Sequence, residues 1–75
     1  MSKNVMTSSE IIQVIESEAI RQLGPWPQGL DIFIYRLEYG WECLITYTDD
    51  PVASKYRAAA LRIGQAQENI IALRD

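Results

Sequence analysis

Apolar and polar residues alternate along one stretch of this chain and recur at helical spacing along two others. From Leu30 to Thr48 (LDIFIYRLEYGWECLITYT) every second side chain is apolar on both sides of Tyr39-Gly40. That pattern predicts strands over 30–38 and 41–48 joined by a two-residue turn. One face of the hairpin then carries Leu30, Ile32, Ile34, Trp41, Cys43, Ile45 and Tyr47, and the other carries Phe33, Tyr35, Leu37 and Leu44. Both faces are apolar, and one chain can bury only one of them as core. The other calls for a second cover, from a helix of the same chain or from another molecule.

Upstream, Thr7-Ser8-Ser9-Glu10 has the form of a capping box, in which the threonine hydroxyl and the glutamate carboxylate each satisfy a bare backbone donor. A helix over 8–23 follows, with Ile11, Ile12, Ile15, Ala19 and Leu23 on one stripe; Gly24 can close it and Pro25 stops it. The β-branched run Ile11 to Ile15 competes as a strand, but strict alternation fails there and the cap decides for helix. Residues 1–6 show no periodicity and read as a disordered tail. Pro25 to Gly29 makes a stiff connector that holds Trp26 either as a lid folded onto the core or as an outward anchor.

Asp50 as N-cap and Pro51 at the first helical position open a second helix, expected over 51–73. Its apolar residues Val52, Tyr56, Ala59, Ile63, Ala66, Ile70 and Leu73 follow alternate steps of four and three. A helix laid across a small sheet explains so short a seam better than a coiled coil, and Gly64 weakens its middle by about 1 kcal/mol. The expected fold is therefore α+β, a single αββα domain over 7–75 in which a two-stranded antiparallel hairpin packs with two helices. Ile15, Ile32, Ile34, Ile45, Ile63 and Ile70 are its expected core.

Size changes this picture, because a single core of 75 residues supplies only roughly 3–5 kcal/mol without some supplement. Cys43 is the only cysteine and there is no histidine, so neither a disulfide within the chain nor a structural zinc site is expected. Oligomerisation remains. A two-stranded sheet is marginal alone, and a four-stranded sheet completed across the two-fold axis of a homodimer would relieve it.

Seven basic and ten acidic side chains leave a net charge of −3, which argues against nucleic acid as a partner. The charge is unevenly spread, −5 over residues 1–50 and +2 over 51–75, and Lys55, Arg57 and Arg62 form the one basic group that a small nucleic-acid-associated regulator could use. The opening MSKNVMTSSE lacks the basic-then-apolar pattern of a signal peptide, and no uncharged apolar run approaches the roughly 20 residues of a membrane span, so a cytoplasmic location is expected.

Catalytic chemistry has little to work with. A lone Cys43 without a base beside it reads as a small core hydrophobe, and Asp49 and Asp50 read as helix caps rather than cation ligands. Gly24, Gly29, Gly40 and Gly64 are scattered, unlike a phosphate loop. No enzyme activity, cofactor, metal or small-molecule ligand is expected. The expectation is instead a protein-interaction module, most simply a homodimer, whose interface uses Phe33, Tyr35, Leu37, Leu44 and Trp26.

Overall fold

The computed structural model describes residues 3–74. Its elements are β1 (Asn4–Met6), α1 (Ser8–Leu23), β2 (Ile32–Leu37), β3 (Gly40–Ile45), α2 (Pro51–Gln67) and β4 (Ile71–Leu73). The protein is α+β: two helices pack with the antiparallel β2–β3 hairpin, and a parallel β1–β4 pair joins the two ends of the chain.

The helix starts follow the sequence. Thr7 Oγ1 accepts from the Glu10 amide at 3.3 Å while Glu10 Oε1 accepts from the Thr7 amide at 2.8 Å, completing the capping box. These hydrogen bonds to Thr7 hold the Glu10 carboxyl below the usual carboxylate range. Asp50 caps α2 through the Ala53 amide at 2.8 Å, with Pro51 just inside. At its far end α1 stops on Gly24, whose φ of 103° suits glycine alone, and the Tyr56 hydroxyl of α2 donates to the last-turn carbonyl of Leu23 at 2.8 Å.

The hairpin turns one residue earlier than its pattern suggested. Glu38 and Tyr39 form the turn, Leu37 faces Gly40, and the register runs through Arg36–Trp41, Ile34–Cys43 and Ile32–Ile45. Among the described residues none other than glycine has positive φ, so the turn is not of the mirror-image kind that Tyr39-Gly40 would have made; Gly40, at φ 123°, redirects the chain just after it. Moving the turn by one residue shifts the pairing by two, and a shift of two leaves every side chain on its own face.

The second helix ends at Gln67, short of residue 73, and its last expected turn is extended chain instead. Ile71–Leu73 pair in parallel with Asn4–Met6, so that part of the supposed tail is a strand; the remaining tail residues 1 and 2, and residue 75, lie outside the described range. Pairing buries Ile71 and leaves Ile70, an expected core residue, 50% exposed. The buried stripe of α2 also moves, to Ala53, Tyr56, Ala59, Ala60, Ile63 and Gly64, while Val52 and Ala66 face out. A period of 3.6 rather than 3.5 accounts for the drift.

The parallel pair is clipped to the hairpin by two side chains facing each other across β2 and β3. Trp41 Nε1 donates to the Ile71 carbonyl at 2.8 Å, and Arg36 Nη2 donates to the Leu73 carbonyl at 3.4 Å. Ile11, Ile15 and Ala19 of α1 and Tyr56, Ala60 and Ile63 of α2 meet Ile32, Trp41, Cys43 and Ile45 in one core. Gly64 stands where these layers come closest: a Cβ there would lie 3.0 Å from Cys43 Cβ, 3.2 Å from its Sγ and 3.5 Å from Ile15 Cδ1.

Two outcomes follow from this packing. Gly64→Ala gains about 1 kcal/mol of helix propensity but overpacks the contact by about 1–3 kcal/mol, so urea denaturation should show a net loss of about 1 kcal/mol; a gain of that size would mean the contact is slack. Trp41→Phe leaves the Ile71 carbonyl without its donor and should cost about 1–3 kcal/mol. Its signature is faster hydrogen exchange at the Asn4 and Arg74 amides, which bond across the parallel pair, with the hairpin amides of Phe33 and Tyr35 little changed.

Candidate interaction surface

Both helices and the parallel pair pack on one side of the hairpin, which leaves the other side bare. Phe33, Tyr35, Leu37 and Leu44 all point there, at 47, 50, 47 and 45% exposure. In register, Phe33 faces Leu44, Tyr35 faces Glu42 and Leu37 faces Gly40. The surface is thus an apolar strip with one carboxylate, Glu42, beside its centre, and it carries no basic side chain. Tyr39 extends it at the exposed turn.

Neither edge of the same hairpin has a neighbouring strand among the described residues, but α2 takes up part of the β3 edge, where Arg57 Nε reaches the Ile45 carbonyl. The Thr46 amide donates to the Asp31 carbonyl at 3.0 Å, which identifies Asp31 and Thr46 as a hydrogen-bonded pair. In an antiparallel ladder the bonding direction alternates, so Phe33, Tyr35 and Leu37 direct their backbone groups at β3 while those of Ile32 and Ile34 point away from it. Among the described residues no other strand pairs with β2. Its sequence IFIYRL has neither proline nor a bulge, and its one charged side chain, Arg36, points inward to the Leu73 carbonyl at the tip-ward end, away from Ile32 and Ile34. Beside this edge Ile34 is only half-buried, although it lies on the core face and was an expected core residue, whereas Ile32 and its own cross-strand partner Cys43 are buried.

Trp26 is separated from the four hairpin residues. It packs against the core, its indole donating to the Leu30 carbonyl at 2.7 Å and meeting the Tyr56 ring edge-on with centroids 6.0 Å apart. The folded-back lid describes it. The three basic residues are divided as well. Arg57 Nε reaches the carbonyls of Ile45 at 3.3 Å and Thr46 at 3.2 Å, with its guanidinium over the Tyr47 ring, so it fastens the end of β3 to α2. Lys55 and Arg62 are exposed on the outside of that helix.

Burial pushes the Cys43 thiol up to about 11, with the Glu68 and Glu42 charges adding to the effect. Such a thiol is a poor nucleophile. Among the described residues no helix is long and apolar enough to cross a membrane. Comparison of the chain with protein-family models, with curated proteins and with solved structures finds no match.

The Cys43 environment predicts a pH dependence. With its thiol raised in the folded state, the group's contribution to stability is complete below its unfolded value near 9.0 and is lost as pH rises toward about 11. Cys43→Ala should therefore lose less stability than wild type between those two pH values, as read from urea midpoints. Parallel decline of the two proteins would contradict the assignment.

Proposed function

We propose that this chain is a non-enzymatic protein-interaction module that works as a homodimer, with the hairpin as its contact element. The observation that carries the reading is the outer face, where Phe33, Tyr35, Leu37 and Leu44 each remain about half exposed after the chain has used both of its helices on the opposite side. Aromatic residues and leucine held on a rigid strand pair present apolar area at little entropic cost, which suits an interface. Arg57 supports the same ranking from the other direction, because its backbone contacts leave only Lys55 and Arg62 of the basic group to meet phosphates. A protein partner, and first of all a second copy, fits this surface better than nucleic acid does.

Sedimentation equilibrium from low to high micromolar concentration tests the reading. The wild type should associate to a dimer, and Phe33→Glu with Tyr35→Glu should remain folded, because both positions are exposed in the single chain, yet sediment as a monomer. A wild type that stays monomeric at high micromolar concentration contradicts the homodimer.

A further inference from the structure

A dimer of hairpins can form with the outer faces laid on each other, with the β2 edges paired into one sheet, or with the β3 edges paired, where Arg57 of α2 already holds the Ile45 carbonyl. We propose the second: two copies pair β2 with β2 antiparallel about a two-fold axis through Ile34, making a continuous four-stranded sheet β3–β2–β2–β3. The inference rests on the homodimer reading above and adds its geometry.

Apposed faces conflict with charge. The outer face holds Glu42 and no cation, so packing two copies face to face would take two carboxylates out of water with nothing to pair them. Edge pairing leaves Glu42 in solvent. It also supplies a bonding partner to the outward backbone groups of Ile32 and Ile34, which a facing sheet cannot do.

The register follows from the side chains. An axis at Arg36 would set two arginines directly opposite, and an axis at Phe33 would need Leu30 and Asp31, which precede the strand, to serve as its edge. An axis at Tyr35 places Arg36 of the second copy against Ile34, the half-buried residue that needs an apolar neighbour, rather than against Ile32, which is already buried. Only the axis at Ile34 sets Ile34 against its own copy, closing the core at the one place on the sheet's inner face where an apolar side chain remains half-buried. On the outer face the same axis brings Phe33 of each copy opposite Tyr35 of the other, two aromatic cross-strand pairs. Arg36 then lies against Ile32 of the second copy, with no like charges in opposition.

Hydrogen exchange, read residue by residue on the wild-type dimer, decides between the geometries. In edge pairing the Ile32 and Ile34 amides exchange as slowly as those of Phe33 and Tyr35, and dilution to monomer selectively releases Ile32 and Ile34. In parallel, Leu44→Glu should still dimerise, since Leu44 lies on the outer strand away from the axis, whereas Ile34→Lys should weaken dimerisation at least tenfold by opposing two ammonium groups at the axis. A dimer whose Ile32 and Ile34 amides exchange fast, or that Leu44→Glu disperses, overturns the edge geometry and leaves the homodimer standing. A monomer at every concentration overturns both.

Discussion

The approach of α2 to β3 at Gly64 is the contact on which the remaining layout depends. A helix can come that close to a strand only where it presents no side chain, and Gly64 together with Ala53, Ala59 and Ala60 keeps the inner surface of α2 low. The Cys43 side chain and Ile15 of α1 fill the remaining space, so strand and both helices share one point of contact. With α1, α2 and the parallel pair all on this side, no described element is left to cover the other. The exposed strip on the hairpin is therefore a consequence of how the core is built.

The two chain ends depend on that same hairpin. A parallel pair of three-residue strands has little stability of its own, and the backbone carbonyls of Ile71 and Leu73 on its inner side need donors. Trp41 and Arg36 provide them from opposite strands of the hairpin, across 30 and 37 residues of sequence. Arg36 is thereby fixed at the tip-ward end of β2, leaving Ile34 as the least covered apolar residue on that strand's inner face.

Local chemistry was legible in the sequence and long-range pairing was not. The capping box at Thr7, the Asp50-Pro51 start and the alternation of the hairpin all state their geometry within a few residues, and each is present in the structure. The hairpin faces survived a misplaced turn because the error in pairing was an even number of residues. Residues 4–6 and 71–73 were misread because each is too short to show a period and gains its structure only from the other, at the far end of the chain. Gly64 was read as a weak point of a helix; its neighbours across the core make it a requirement for packing. Of the expected interface residues, Phe33, Tyr35, Leu37 and Leu44 lie together on one face as the alternation implied, whereas the placement of Trp26 depended on partners, Leu30 and Tyr56, that the connector's stiffness alone could not select.

The central claim is that two copies meet along β2, and contacts between chains test it most directly. The protein has a single phenylalanine, so its ring resonances are unambiguous. In an equimolar mixture of isotope-labelled and unlabelled chain, isotope-filtered NOE spectroscopy should show intermolecular contacts from the Phe33 ring to the Tyr35 ring and between Ile34 methyl groups. Intermolecular contacts confined to α2 or to the parallel pair, or none at concentrations where the chain is associated, would contradict the account.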